Sequence, residues 1–220
     1  MRINHHLSEP TLLAYATGQL AEGLSLAAAT HLAWCGRCRD AVNAAETVGG
    51  VLLSQSEPAE CSGDLLTRTL KAVETRPPAA SAAQSAKLSP ALARLQPSQP
   101  LRGYLEGSGT RRWRRLGPGI SYMQVIPSAG KGTVRLIRVA PGIRLPRHSH
   151  TGTELAVVLS GSYDDEIGRF AAGDLAEHDE HVTHRPCADA RDGCICLIAT
   201  EGPMRFENFM VRMLQPFTGF

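Results

Sequence analysis

His148, Ser149 and His150 are followed by Glu154, with Gly142 and Gly161 on either side. Residues two apart in a strand point to the same side, so His148 and His150 can present both imidazoles to one point. Glu154 lies an even number further on and joins them if the pleat continues. The two glycines suit the turns that bracket the unit. A second segment carries Gly173 and Asp174 as a turn, a strand up to His178, a tight turn over 179–181, and then His184. Three imidazoles and a carboxylate, from His148, His150, Glu154 and His184, make a donor set for Zn²⁺, Fe²⁺, Mn²⁺ or Ni²⁺. Residue types alone do not choose among these ions. His178 and His181 compete with His184 for the fourth place.

A second group of a different chemistry stands near the start of the chain. His31 and Cys35 are at i and i+4, one above the other on a helix face, and Cys38 is a turn further. Thiolate and imidazole are the ligands that zinc prefers. A fourth ligand is needed, and His6, just before the first helix, supplies it; His5 is its neighbour and competitor. Small helical bundles need such a clip because their cores are too small alone. The remaining cysteines are less specific. Cys194 and Cys196 flank Ile195 in a strand and face the same side, where extended backbone holds them too far apart for a mutual disulfide. Apolar packing and a redox role fit them equally. Cys61 and Cys187 read as simple buried or surface thiols.

The elements that must position these residues change character along the chain. Residues 1–74 read as helices. Ser8 is an N-cap with Pro10 in the first turn, and Leu12, Leu13 and Leu20 lie on an apolar stripe. Further helices are expected over 24–34, from Cys38 through Val42, Val48, Val51 and Leu52, and after Ser62 with Leu65, Leu66, Leu70 and Val73. Gly49 and Gly50 weaken the middle of the third. Residues 75–100 hold five prolines and no acidic side chain, the composition of a linker, with a short helical turn around Leu92. From 101 to 220 the period becomes that of strands: 122–126, 133–139, 155–159, 175–177 and 195–199, separated by Gly, Pro, Asp and Ser. Many short strands at this spacing predict an antiparallel sandwich or barrel. The fold class is therefore α + β and multidomain.

Charge and composition exclude some classes of function. The 220 residues have a formal net charge of +2, but residues 1–74 carry 5 basic and 8 acidic side chains, a net of −3. That segment suits a basic partner better than DNA, and it holds no basic recognition helix. Arg111, Arg112, Arg114 and Arg115, interrupted by Trp113, form a short cluster that reads as a solvated strand or turn. No direct contact with nucleic acid is expected. No signal-peptide stretch and no membrane-spanning apolar run is visible, so the expected location is cytoplasmic. Six cysteines in a reducing compartment are ligands, buried thiols or redox groups rather than a disulfide frame.

The two segments around His148 and His184 resemble the two motifs of the cupin superfamily. The first matches throughout. In the second, Asp179, Glu180 and His181 replace the family's Pro-x-Gly turn, and Ala188 stands where an Asn is usual. Residues 1–74, through His6, His31, Cys35 and Cys38, resemble the zinc-binding anti-sigma domain. With a single cupin-like domain behind it, the whole chain is similar to the ChrR family of anti-sigma factors. The resemblance implies a small all-α bundle holding Zn²⁺ followed by an all-β cupin, an antiparallel barrel or jelly roll, with Zn²⁺ or another divalent transition metal. It implies a group IV (ECF) sigma factor as partner, inhibited by the bundle and released on an oxidative signal such as singlet oxygen. It implies no enzymatic role. The competing expectations are a metal-dependent cupin dioxygenase or isomerase with an accessory zinc domain, and a DNA-binding regulator with a ligand-sensing cupin.

Overall fold

Ser8 opens the first helix as its composition dictates. Its Oγ accepts from the Thr11 amide at 3.4 Å, with Pro10 in the first turn, and α1 runs over Glu9–Ala16. The structure, a computed structural model, describes residues 2–75, 88, 90–93, 95, 97–106, 112–126 and 132–207. Most of the stretch read as a linker, Arg111 and residues 208–220 lie outside the described residues. Helix α2 spans Glu22–Leu32, α3 spans Gly36–Gln55 and α4 spans Leu65–Thr75. Helix α3 continues through Gly49 and Gly50 without a break, but buries only Cys38 and Val42. Val48, Val51, Leu52 and Leu53 on its second half are exposed, as are Leu65, Leu66, Leu70 and Val73 on α4.

A short helix α5 over Pro90–Ala93 carries the expected turn around Leu92, and α6 follows over Gln99–Glu106. Leu92, Leu95, Leu101 and Leu105 are buried in the same apolar cluster as α2. The strands are β1 (Arg114–Gly117), β2 (Ile120–Ile126), β3 (Thr133–Val139), β4 (His148–Ser149), β5 (Glu154–Asp164), β6 (Arg169–Ala171), β7 (Leu175–His178), β8 (Cys187–Ala188), β9 (Cys194–Thr200) and β10 (Arg205–Phe206). The main sheet runs β1-β2-β3-β9-β5-β6, with β7 and β8 also on β5, and β10 pairs with β4. Every pairing is antiparallel.

The central strands are apolar on both sides because both sides are covered. Leu155 and Val157 of β5, Leu197 and Ala199 of β9, and Val134 and Leu136 of β3 share one cluster with α2 and α6. Their alternates Ala156, Val158, Cys194, Cys196, Ile137 and Val139 belong to a second cluster on the opposite face. Period 2 thus sorts one continuous apolar run into two cores. Helix α2 approaches the sheet closely because its contact face is small: Ala27 and Ala28 are fully buried, and a Cβ on Gly23 would lie 2.7 Å from Cγ2 of Val134.

Gly161 lets β5 pass from its pairing with β9 to its pairing with β6. Its φ is +72°, and a Cβ there would lie against the carbonyl oxygen of Gly193, far inside contact distance. Gly161→Ala should therefore destabilise the chain by about 2–4 kcal/mol, from backbone strain and a backbone clash together. Denaturant unfolding of the full chain measures this, and an unchanged midpoint would show that the strand crossing tolerates a side chain.

Candidate metal centres

The first centre is assembled from three pieces of chain. His6 lies in the extended segment before α1, His31 in the last turn of α2, and Cys35 and Cys38 at the cap and first turn of α3. Their ligand atoms all lie within 4.8 Å of one another. Nδ1 of His6 is 3.2 Å from Sγ of Cys35 and 3.7 Å from Sγ of Cys38. Ligands at the corners of a tetrahedron with bonds of about 2.0–2.3 Å are separated by roughly 3.3–3.8 Å, so these spacings suit zinc. The Nδ1–H of His31 donates to the Gly173 carbonyl at 2.9 Å, which leaves the Nε2 lone pair for the cluster. That Nε2 is buried and has no hydrogen-bond partner. Burial lowers the pKa of His31 and pushes the Cys38 thiol up to about 11, with Cys35 beside it acting in the same direction. A neutral imidazole is ready to ligate, and a divalent cation supplies the charge that a buried thiolate needs. His5 is turned away: its Nε2 donates to the Arg169 carbonyl at 3.0 Å and its ring packs on Phe170.

The second centre sits inside the sheet's other core. The pleat does not continue from His150 to Glu154; the chain turns at Gly152, whose φ is +76°, and β5 begins at Glu154. His148 and His184 are brought face to face by a two-way backbone bridge, with amide-to-carbonyl distances of 3.1 and 3.0 Å. The four side chains read from the sequence are all buried together, and Nε2 of His184 lies 3.1 Å from Nε2 of His148 and 3.2 Å from Nε2 of His150. A fifth side chain joins them. His178 on β7 pairs directly across from Glu154 on β5, and its ligand atom falls with those of His150, Glu154 and His184 within 4.8 Å. His181 is exposed in the turn and takes no part.

The ring orientations test whether a cation fits. Nδ1–H of His148 donates to the Pro146 carbonyl at 2.8 Å, and Nδ1–H of His184 donates to the Asp165 carboxylate at 3.0 Å. Each of these rings, when neutral, turns the lone pair of Nε2 inward, so two lone pairs face each other at 3.1 Å. Burial holds His148 down to about 4, so it is neutral near pH 7. Two opposed lone pairs repel unless a cation lies between them, and partners on the far nitrogen are how proteins aim ligating imidazoles. Burial would raise the Glu154 carboxyl, but the surrounding imidazoles outweigh it and hold it down to about 2. An ionised carboxylate beside the inward-facing imidazole nitrogens is a donor set for a cation. Glu154 Oε2 and His150 Nδ1 approach to 3.2 Å without hydrogen-bond geometry, and both are unpartnered buried atoms.

Sequence reasoning held His178 only as a competitor of His184, not as a ligand beside it, and had no access to Asp165, because both enter through strand pairing and loop closure. A cavity of about 300 Å³ opens beside this centre, with His148, Glu154 and His184 on its wall and Ile137, Val139 and Ile198 among its apolar lining. Cys194 and Cys196 also line it. All six cysteines are free thiols, with Cys61 exposed and Cys187 half-buried. The two centres are joined by one strand. Gly173, which receives His31, leads into β7. The Asp174 carboxylate accepts the amides of Asn4 at 2.7 Å and His5 at 3.0 Å, Glu177 accepts Ser8 Oγ at 2.8 Å and Thr11 Oγ1 at 2.6 Å, and β7 ends on His178.

Residues 106–204 match the family model described as the ChrR cupin-like domain. The chain is 38% identical over 224 residues to the anti-sigma-E factor ChrR of Cereibacter sphaeroides, covering 99% of both chains. It also superposes on a chain of the crystal structure of Rhodobacter sphaeroides SigE in complex with the anti-sigma ChrR. That match has a TM-score of 0.74 and 35% identity, over 90% of this chain and 100% of the other. Two helical and strand-rich segments in the same order, aligned end to end at this identity, place the chain in the ChrR family of anti-sigma factors, regulators rather than enzymes.

Proposed function

We propose that this chain captures and inhibits a group IV (ECF) sigma factor through its N-terminal helices. The observation that carries this reading is the unpaired apolar surface on α3 and α4. Val48, Val51, Leu52 and Leu53 on α3 and Leu66, Leu70 and Val73 on α4 are each at least half exposed, and α4 buries no residue. Large aliphatic residues in this density on two helices are a binding surface rather than ordinary solvent-facing composition. A basic partner suits the net charge of −3 on residues 1–74. The SigE–ChrR complex of a relative supports the choice of partner.

Zinc in the centre of His6, His31, Cys35 and Cys38 would tie the extended N-terminus to α2 and α3, and so hold the base of the α3 surface in place. A second divalent transition metal, held by His148, His150, Glu154 and His184, would give the cupin-like domain its sensing role. In this reading an oxidative signal such as singlet oxygen alters that centre. The change passes along β7 to the segment that holds His31 and the α1 cap, and the sigma factor is released in the cytoplasm. No helix among the described residues is long and apolar enough to cross a membrane.

Leu66→Asp with Leu70→Asp should abolish co-purification of the ECF sigma factor with the full chain. Loss of at least 100-fold in affinity is expected, about 2.7 kcal/mol, because charges enter an apolar contact. Zinc content and melting behaviour should stay as in the parent, since neither residue is buried in the free chain. Undiminished binding would move the interface off α4.

A further inference from the structure

We propose that His178 is a fifth ligand of the barrel metal, closing a coordination position that the four residues of the sequence motif leave open. The inference rests on the reading that this centre holds a metal, and it goes beyond it by adding a ligand that the motif does not contain. His178 is 1% exposed, and neither of its ring nitrogens has a hydrogen-bond partner. A buried imidazole with both nitrogens unsatisfied is costly, and buried polar side chains in folded proteins are almost always paired. Oε1 of Glu154 lies 3.6 Å from Nδ1, which is too long for a hydrogen bond. Nothing among the described residues explains why a histidine occupies this place.

Its position explains it. The Glu154–His178 pairing of β5 with β7 puts both side chains on the same face at neighbouring points, which is the face of the second core. The His178 ring stands edge-on to His184, with centroids 4.3 Å apart at 73°, and parallel to His150 at 6.1 Å. The His178 ligand atom meets those of His150, Glu154 and His184 within 4.8 Å; His148 lies outside that group and touches it at His184, Nε2 to Nε2 at 3.1 Å. Three imidazoles and one carboxylate thus converge on one point, and His148 closing on the same ion would make four imidazoles and one carboxylate. Such a set exceeds the four donors of a closed tetrahedral zinc site and leaves at most one position of an octahedron. A centre so filled has little room to bind and turn over a substrate, and is suited to reporting the loss of a ligand. His178 is also the residue through which the ion would grip β7, the strand that carries Glu177 and follows the Gly173 turn.

The test is cobalt titration of the metal-free full chain. Thiolate-to-cobalt charge transfer reports the Cys35 and Cys38 centre alone, and visible d–d bands without matching charge transfer report the barrel. The parent should take up two ions. His178→Ala should weaken the barrel ion at least roughly tenfold and shift its d–d bands to those of a lower coordination number, leaving the charge-transfer band unmoved. His178→Gln, which keeps a polar side chain of similar length in place, should do the same with its melting behaviour preserved. Parent-like affinity and spectrum in both variants would overturn the assignment and leave the two-metal reading standing. Weaker binding with an unmoved spectrum would also overturn it, and would make His178 a positioning group for Glu154. Uptake of one ion by the parent would overturn the two-metal reading itself.

Discussion

Replacing Cys35 and Cys38 together by serine should remove one of two metal ions per chain and abolish capture of the sigma factor. The reason lies in how little else holds this region. Helix α3 buries only Cys38 and Val42 along its length, and α4 buries nothing. The extended residues before α1 are held by Asp174 and by the cluster around His6. Apparent binding free energies of structural zinc reach about 10–16 kcal/mol, comparable with the whole stability of a folded domain. Without the ion the base of α3 is free, and the apolar surface that runs up α3 and across to α4 loses its fixed geometry. Metal analysis of the purified chain should fall from two ions to one, and affinity for the sigma factor should fall at least 100-fold, about 2.7 kcal/mol. A double variant that still holds the sigma factor would separate capture from this centre.

His150→Ala with Glu154→Ala should have the opposite phenotype, with capture retained and release lost. Both residues lie in the barrel core, away from the exposed faces of α3 and α4. Their loss removes the only carboxylate of the cluster and an imidazole whose Nε2 meets that of His184, so the barrel ion should be absent from the purified chain. In cells carrying a sigma-dependent reporter, exposed to light and a photosensitiser, the parent should show induction and this variant should stay repressed. Equal induction from the two would remove the sensing role from the barrel metal. These point variants are a cleaner test than deleting residues 101–220. Leu24, Ala27 and Ala28 of α2 are buried in the cluster shared with β5 and β9, and α6 within the deleted segment covers them too. A chain cut before the barrel would expose that face, and its behaviour would mix lost sensing with lost packing.

Local spacing determined much of this protein before any long-range contact. The cap at Ser8 needs only its own neighbours; His31 and Cys35, expected on one helix face, instead belong to two helices, because α2 ends at Leu32 and Cys35 is the extended cap of α3. The strand over Thr133–Val139 is legible because a short β-rich run between Gly132 and Pro141 is a property of consecutive residues. His148, His150, Glu154 and His184 were also legible, though by a different route from the one their spacing implies: the pleat breaks, and the turn at Gly152 returns Glu154 to the imidazoles. Tertiary structure alone decided the rest. Val42, Val48, Val51 and Leu52 look alike as an apolar helical stripe, yet Val42 is buried and the other three are exposed. Burial depends on which surface arrives opposite, and periodicity does not carry that information. The chain around Leu92 and Leu95 has a linker's composition but folds into the core, because a few leucines suffice once α2 offers them a face. His178 became part of a metal centre only through the register that sets it across from Glu154, and a register joins residues that are distant in sequence.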